Sequence, residues 1–257
     1  MEPKVSFCLI VKNEEKYIET CLKSLLPVAY EIIVVDTGSS DKTKEIIKGF
    51  VVTEQCSVPT KPQVKVFDFK WQDDYSKARN ESIKHVTGDW IFIINADEEL
   101  TEQTQKHLIP FLKEQPYINQ PVAFSLKVIE PQADSVSMVF KTLLFKSGFD
   151  IHFIRPIHEH ICREQNDLII AKADFLTLFH SGNKIRSKEE LKKKTEKYIF
   201  KLVKLTRETP DPKDNYFFYY HLGNAYSNVE QYNNAIKAYH DSYSNFNKTF
   251  SEKKSQF

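Results

Sequence analysis

The sequence predicts an α/β protein in which a mostly parallel sheet carries helices on both faces and is followed by a short α-helical tail. Two observations carry this prediction. Compact apolar runs alternate with helical patterns from residue 5 to about residue 114, which is typical of a parallel sheet covered on both sides. Residues 216–245, near the end of the chain, have a helical pattern.

Four strands are predicted in the first part of the chain, because compact apolar runs are typical of buried strands. They cover residues 5–11, 31–35, 64–69 and 90–95. The helices between them are predicted to open at residues 13–15, after Asp41 as the N-cap, and at residue 75. Residues 50–63 are expected to form a loop.

The pattern changes after about residue 120. Three further strands, at residues 122–129, 139–146 and 175–179, extend the sheet and help to build a pocket. A lysine-rich helix at 188–207, the linker TPDPKDN and the helical tail complete the chain. The predicted domains are therefore a first one at residues 1–183, a connecting helix and linker at 184–213, and a helical hairpin at 214–257.

Composition excludes several classes of protein. Of the 257 residues, 41% are hydrophobic and 28% are charged, as in an ordinary globular protein. The net charge of +1 gives no basic surplus for nucleic acid, which is not expected as a partner. No apolar run approaches the ~20 residues of a membrane span, and no secretory signal is evident. The four scattered cysteines indicate reduced thiols in a cytoplasmic protein, without a structural zinc site.

Acidic side chains follow two of the predicted strands. Asp36 closes the second strand and Asp97 lies just beyond the fourth. Ligands bind beyond the carboxyl ends of strands in an open parallel sheet. Asp97 alternates with Asn95, so both side chains are expected to point to one side, where they could hold Mg²⁺ or Mn²⁺ together with a diphosphate. The alternatives are a helix cap for Asp36 and, for Asp97, Glu98 and Glu99, the start of the next helix.

Several motifs, in order along the chain, resemble glycosyltransferase family 2, which has the GT-A fold. They are IVKNEE, EIIVVDTGSSDKT and WQDDYSKARNESIKHVTGDWIFIINADEEL, and the likeness continues through IHFIRPIHEHI and LFHSGN. The branch of the family that ends in tetratricopeptide repeats is the most similar. The strong part of the resemblance covers roughly residues 4 to 100.

The resemblance implies a UDP-sugar donor and Mn²⁺ or Mg²⁺ as cofactor. Asp36 corresponds to the acid that reads the uracil, and Asp97 to the metal-binding acid of the DxD motif. The chain departs from that motif at Asn95, where Asp is usual; Asn95 can still bind a ribose hydroxyl but brings no charge. His180, in FHSG, matches a family histidine near the diphosphate or the metal, and a structural role is its alternative.

A second stretch matches the family along the nucleotide site. Asp74, Arg79 and Asn80 fit the pattern D-[FY]-S-x-A-R-N. The match implies that Arg79 contacts the base, the diphosphate or Asp97. The alternative for Arg79 is an arginine on a helix surface.

The resemblance also implies a catalytic base. His158 and Glu159, in RPIHEH, match the family's V-H-E element. An inverting transferase needs a carboxylate near the nucleophile of the acceptor. Glu159 is therefore the first candidate for the base; His158 is the second, with a place next to the metal as its alternative.

The acceptor is expected to be a peptide rather than a saccharide or a lipid-linked saccharide. DDYSKARN, IHFIRPIHEH and FHSGN, followed by a lysine-rich helix, resemble the sublancin-type enzymes, which glycosylate a cysteine or serine of a bacteriocin peptide. Two alternatives stay open. One is a transferase that extends a cell-surface saccharide, and the other is a nucleotide-binding scaffold whose site has decayed.

The tail matches one tetratricopeptide repeat. In YYHLGNAYSNVEQYNNAIKAY the spacing fits at Leu222, Gly223, Tyr226, Ala235 and Tyr239. The small residues would let two helices approach closely. One repeat is not stable alone, so the tail is expected to be incomplete, to pack on the catalytic domain or to form a homodimer. A generic helical hairpin is the alternative.

Overall fold

The computed structural model describes residues 2–51, 62–115, 119–131, 135–181, 188–209 and 211–251. The chain divides into two compact units, Met1–Lys184 and Ile185–Phe257. Throughout these described ranges, no helix combines the length and the apolar character needed to cross a bilayer. The expected loop at residues 50–63 falls largely outside the described residues, as does Cys56.

The first unit contains an eight-stranded sheet and a separate two-stranded one. The sheet order is β3-β2-β1-β4-β7-β6-β10-β5, and β8 pairs with β9. The strands are β1 (Val5–Val11), β2 (Glu31–Asp36), β3 (Gln63–Asp68), β4 (Trp90–Ile93), β5 (Glu98–Leu100), β6 (Val122–Pro131), β7 (Val136–Lys146), β8 (His152–Ile154), β9 (His160–Cys162) and β10 (Ile169–His180). The helices are α1 (Ile18–Leu25), α2 (Thr43–Lys48), α3 (Tyr75–Lys84) and α4 (Glu102–Lys113).

The first four strands are parallel, as the alternating pattern predicts. β1 lies between β2 and β4 and is parallel to both. The chain moves from β1 to β2 to β3 and then returns across β1 to β4. Right-handed crossovers therefore put α1 and α2 on one face and α3 on the other. The strand order reverses beside β1, and a ligand crevice is expected at such a reversal.

The later strands make the sheet mixed. β7 is antiparallel to both β4 and β6, and β5 is antiparallel to β10. The predicted strands at residues 122–129, 139–146 and 175–179 are all present but longer. The last of them is part of the twelve-residue β10, which a register shift between Ala173 and Thr177 interrupts.

One of the buried acids of the first unit lies at the start of β2. Glu31, the first residue of β2, accepts hydrogen bonds from Ser6 Oγ at 2.6 Å, Lys65 Nζ at 2.8 Å and the Thr87 backbone N–H at 2.6 Å. Burial alone would raise the pKa of Glu31, but these donors hold it below its usual value. Three donors therefore keep a buried carboxylate charged among apolar strands.

Two helix starts differ from the sequence prediction. The chain turns after Asn13, whose φ is 58°, and α1 begins only at Ile18. Asp41 is not the N-cap of α2, a position held by Lys42. Asp41 Oδ1 nevertheless accepts the Thr43 N–H at 3.0 Å. Asp41 therefore still provides a hydrogen-bond partner for a backbone N–H in the first turn of α2, although it lies one residue before the N-cap.

The second unit consists of α5 (Lys188–Glu208), α6 (Pro212–Asn228) and α7 (Tyr232–Ser251). The linker predicted at residues 209–215 is shorter, because α6 already begins at Pro212. α6 and α7 form a hairpin in which the predicted close approach occurs. A Cβ placed on Gly223 would lie 2.5 Å from the ring of Tyr239, whose hydroxyl donates to Asn224 Oδ1 at 2.7 Å.

Candidate functional site

Asp36 is the last residue of β2, and only one of its two carboxylate oxygens accepts hydrogen bonds from described residues. Oδ1 accepts the N–H groups of Gly38 and Ser39, both at 2.9 Å. Oδ2 is buried and has no hydrogen-bond partner among the described residues. Burial opposes ionisation, but the donors at Ser39 and Gly38, with Lys44 Nζ 3.6 Å away, hold the pKa of Asp36 below its usual value. Asp36 therefore offers a charged acceptor to a ligand.

Asn13 organises the loop beside Asp36, a role that the sequence analysis missed. Its Oδ1 accepts the Ser40 N–H at 2.8 Å, and its own N–H donates to Ser39 Oγ at 3.0 Å. Its left-handed backbone is a conformation that asparagine tolerates better than most residues. The loops that follow β1 and β2 are thereby joined.

Arg79, on α3, connects the end of β4 to the predicted base. Its Nη2 donates to Asn95 Oδ1 at 2.7 Å, and its Nε donates to Glu159 Oε1 at 3.3 Å. The side chain is 9% exposed and that of Glu159 is 18% exposed. Arg79 is thus no surface arginine, and the structure brings it together with two other predicted site residues.

Asp97 pairs with the other predicted metal ligand, His180. The two side chains meet at 3.0 Å, between His180 Nε2 and Asp97 Oδ2. This hydrogen bond raises the pKa of His180. Burial would raise the pKa of Asp97, but the bond and the charge of His180 lower it below its usual value. β4 ends at Ile93, so Asn95 and Asp97 lie in the turn that follows and have different partners.

A buried ionic network lies behind this turn. Glu98 is 1% exposed; its Oε1 accepts Lys141 Nζ at 3.1 Å and its Oε2 accepts the Asn95 N–H at 3.0 Å. Lys141 also lies 3.4 Å from Glu130, whose Oε1 is 3.7 Å from His180 Nδ1. Glu98 therefore does not begin the next helix, which starts at Glu102 after Thr101 as cap. Instead it supports the turn that carries Asn95 and Asp97.

Glu159 and His158 lie in the loop between β8 and β9. The backbone of this loop is left-handed at Arg155 (φ 74°) and His158 (φ 51°). The pKa of His158 lies below its usual value, because local desolvation and the charge of Arg155 outweigh the charge of Glu159. Among the described residues, Arg79 is the hydrogen-bond partner of Glu159, and it contacts Oε1.

Asp74 and Asn80 have structural roles in this geometry. Asp74 caps α3, and its Oδ1 accepts from Lys77 N at 3.2 Å and Ser76 Oγ at 2.6 Å. The Asn80 amide donates to the Phe153 carbonyl and accepts the Phe153 N–H, both at 2.8 Å. Asn80 therefore ties β8 to α3. Direct contact of either residue with a nucleotide stays a prediction that these bonds do not favour.

The donor set at Asp97 and His180 fits a divalent cation that is shared with a diphosphate. In the described part of the chain, no three His, Cys, Asp or Glu side chains are grouped to hold a metal ion. Asp97 and His180 supply one carboxylate and one imidazole, which Mn²⁺ accepts more readily than Mg²⁺ does. The remaining ligands would have to come from phosphate oxygens and water.

The two acids lie at the same edge of the sheet, Asp36 at the end of β2 and Asp97 in the turn that follows β4. Asp36 is in register with Val11, and Ile93 is in register with Cys8, so β2 and β4 end on either side of β1 at the same edge. Strands lie ≈ 4.8 Å apart, so β2 and β4 are roughly 10 Å from each other across the sheet, and β4 ends three residues short of β2 along β1. A single extended ligand can span that distance.

Comparison with known proteins identifies relatives of the chain. The model of the family described as glycosyl transferase family 2 matches residues 6–173. A TPR repeat-containing protein of Synechococcus elongatus is 35% identical over 158 residues, which are 61% of this chain and 35% of that protein. The SPbeta prophage-derived glycosyltransferase SunS of Bacillus subtilis is 28% identical over 84% of this chain and 48% of its own length. The chain thus spans at most about half of these relatives.

A solved structure has the same fold. S. aureus TarS 1-349 in complex with UDP-GlcNAc superposes with a TM-score of 0.53 over 94% of this chain and 81% of its own, at 15% sequence identity. Identity this low supports the fold alone. The expected GT-A architecture is therefore confirmed.

Proposed function

The chain belongs to glycosyltransferase family 2, and from this premise we propose that it transfers a sugar from a UDP-sugar to a peptide, with inversion at the anomeric carbon. The observation that carries the proposal is the pair of acids at the ends of β2 and β4. Asp36 has a buried oxygen without a hydrogen-bond partner among the described residues, and Asp97 lies beside His180.

The proposed sugar donor is a UDP-sugar that extends from the end of β2 to the end of β4. Asp36 Oδ2 accepts an N–H from the uracil, as the family resemblance implies, and the diphosphate lies at the end of β4. The UDP-GlcNAc in the TarS structure supports a UDP-sugar, although it does not specify the sugar for this chain.

Asp97 and His180 are the proposed ligands of Mn²⁺ or Mg²⁺. When bound, the cation offsets the negative charge that grows on the diphosphate as the bond to the sugar breaks. His180 donates to Asp97, so holding a cation through both side chains would require the loss of that proton from His180. Glu98 and Lys141 hold the turn in place from behind through buried ion pairs.

Glu159 is the proposed catalytic base. Arg79 binds its Oε1, which fixes the carboxylate and leaves Oε2 to take the proton of the acceptor as it attacks the anomeric carbon. A carboxylate is a weak base. A thiol, with a pKa near ~8.5, therefore needs less help from it than an alcohol does. This difference favours a cysteine acceptor over a serine.

The peptide acceptor is the finer part of the proposal. It is supported by the sequence resemblance to the sublancin-type enzymes and by the match to a prophage-derived glycosyltransferase over 84% of the chain. A tetratricopeptide-like second unit would suit peptide holding, because such repeats form concave binding surfaces. The proposed setting is the cytoplasm, where cysteine acceptors stay reduced.

The test is incubation with Mn²⁺, a panel of UDP-sugars and three acceptors: a cysteine-rich bacteriocin peptide, the same peptide with serine in place of cysteine, and a lipid-linked saccharide. Mass spectrometry is expected to find one added hexose or N-acetylhexosamine on the cysteine peptide first. A mass gain on the lipid alone would replace the peptide proposal by saccharide extension. No turnover of any UDP-sugar, even when the panel is extended to other sugar nucleotides, would favour a decayed scaffold.

A further inference from the structure

The hydrogen bond from Arg79 determines which way the Asn95 amide faces. A guanidinium carries donors and no acceptor, so the atom 2.7 Å from Nη2 of Arg79 must be the amide oxygen of Asn95. The amide nitrogen, Nδ2, consequently turns away from Arg79 at the end of β4. An aspartate at this position would turn a second oxygen in that direction. Asn95 instead turns two N–H donors there.

One nitrogen of the Arg79 guanidinium has no hydrogen-bond partner among the described residues. The residue is 7% exposed, and its Nη1 is buried without a hydrogen-bond partner among the residues that the structure describes. A buried donor left without a partner is destabilising, and more so when it is charged. Nε and Nη2 already serve Glu159 and Asn95. A further acceptor at Nη1 would therefore stabilise the site.

The charge balance favours an anionic acceptor. Within the described residues, Glu159 is the one acidic side chain in an ion pair with Arg79. Asn95 is neutral, so it leaves part of the guanidinium charge uncompensated, which an aspartate would not do. Hydrogen bonds between charged partners are roughly twice as strong as neutral ones. A phosphate oxygen is thus a better partner for Nη1 than a ribose hydroxyl.

We propose that Arg79 and Asn95 form a phosphate subsite that binds the diphosphate of the nucleotide directly, and that Asn95 acts there as a hydrogen-bond donor instead of a metal ligand. The inference rests on the proposed function and deepens it. Under this proposal, two pairs of residues beyond β4 have different roles. Asp97 and His180 serve the cation, while Arg79 and Asn95 hold the diphosphate whether or not a cation is bound.

The experiment compares uridine with UDP by isothermal titration calorimetry on the full chain, once in EDTA and once in Mn²⁺. In EDTA the wild type is expected to bind UDP roughly 10- to 100-fold more tightly than uridine, since hydrogen bonds to charged groups contribute about 1.5–3 kcal/mol. Arg79→Gln is expected to abolish this preference. Lys84→Gln is the control, because it removes one positive charge from the same helix at a side chain that is 68% exposed.

Asn95→Asp keeps the shape of the side chain and reverses the polarity of the atom that turns away from Arg79. It is expected to lower UDP affinity in EDTA by at least about 10-fold and to regain it in Mn²⁺. Circular dichroism reports whether each variant folds; should Arg79→Gln not fold, Asn95→Asp decides.

The inference is overturned if the wild type in EDTA binds UDP no better than uridine, or if Asn95→Asp binds UDP in EDTA as the wild type does. Both outcomes leave the UDP-sugar proposal intact, because uridine would still bind at Asp36. Binding of neither uridine nor UDP in any condition would instead overturn the proposed donor, and the phosphate subsite with it.

Discussion

His180 and Asp97 are 83 residues apart in the chain, yet their side chains meet at 3.0 Å where β10 and the turn after β4 come together. A carboxylate next to an imidazole offers a cation two ligands of different kinds. Under the proposed function, His180 would supply the second ligand that the missing first aspartate of the DxD motif does not provide.

We expect His180→Ala to raise the Mn²⁺ concentration that half-saturates turnover by roughly 10- to 100-fold, the usual effect of losing one metal-site partner. UDP affinity in EDTA should not change, because His180 acts through the cation. The measurement is a Mn²⁺ titration of UDP release. His107→Ala, at an exposed histidine of α4, is the control. An unchanged Mn²⁺ requirement in His180→Ala would remove His180 from the metal site.

Glu159→Gln should bind UDP like the wild type but lose sugar transfer. The amide can still accept the Arg79 hydrogen bond, so the loop keeps its place, but it cannot take a proton from the acceptor. General bases contribute about 10²–10⁴-fold to rate, and a loss in that range is expected. Glu164→Gln, at an exposed position after β9, serves as control. Transfer at the wild-type rate would mean that the base lies elsewhere.

Glu31→Gln should destabilise the first unit by roughly 2–4 kcal/mol at pH 7, because it weakens a buried ion pair and hydrogen bonds from three donors. The folded pKa of Glu31 is lowered, so the wild-type advantage is complete above the unfolded pKa of ≈ 4.3 and disappears as pH falls through the folded one. Urea unfolding of the wild type and the variant at pH 7 and at pH 3 measures the difference in their free energies of unfolding at each pH. The exposed Glu45→Gln is the control. An equal difference at the two pH values would contradict this account.

Gly223→Ala should destabilise the second unit, since the new methyl group would lie 2.5 Å from the Tyr239 ring. Overpacking of this kind costs about 1–3 kcal/mol, which exceeds the ~1 kcal/mol that alanine gains in helix propensity. Urea unfolding followed by circular dichroism checks it. The same Gly223→Ala change should cost less stability when it is made in a Tyr239→Ala variant, because the ring that the methyl group would contact is then gone. If alanine stabilises the single variant, the close approach of α6 and α7 is not as tight as described.

Sequence reasoning worked best where contacts are local. The parallel strands up to β4 follow from apolar runs, and the hairpin of α6 and α7 follows from the small Gly223 and Ala235 opposite aromatic residues. It worked less well for partners brought together by the fold. Glu98 binds Lys141, 43 residues further along, and no local pattern distinguishes that acid from one that begins a helix. The same holds for Asn80, because its hydrogen bond to the Phe153 carbonyl depends on where β8 packs.

The central claim is that Asp97 serves a cation which neutralises the diphosphate of a UDP-sugar. It is tested most directly by measuring UDP release from UDP-glucose and UDP-N-acetylglucosamine at matched Mn²⁺ concentrations, with wild type and Asp97→Ala. The account predicts Mn²⁺-dependent release by the wild type and none above background by the variant. Release by Asp97→Ala at the wild-type rate, or wild-type release that is equal with and without Mn²⁺, would contradict it.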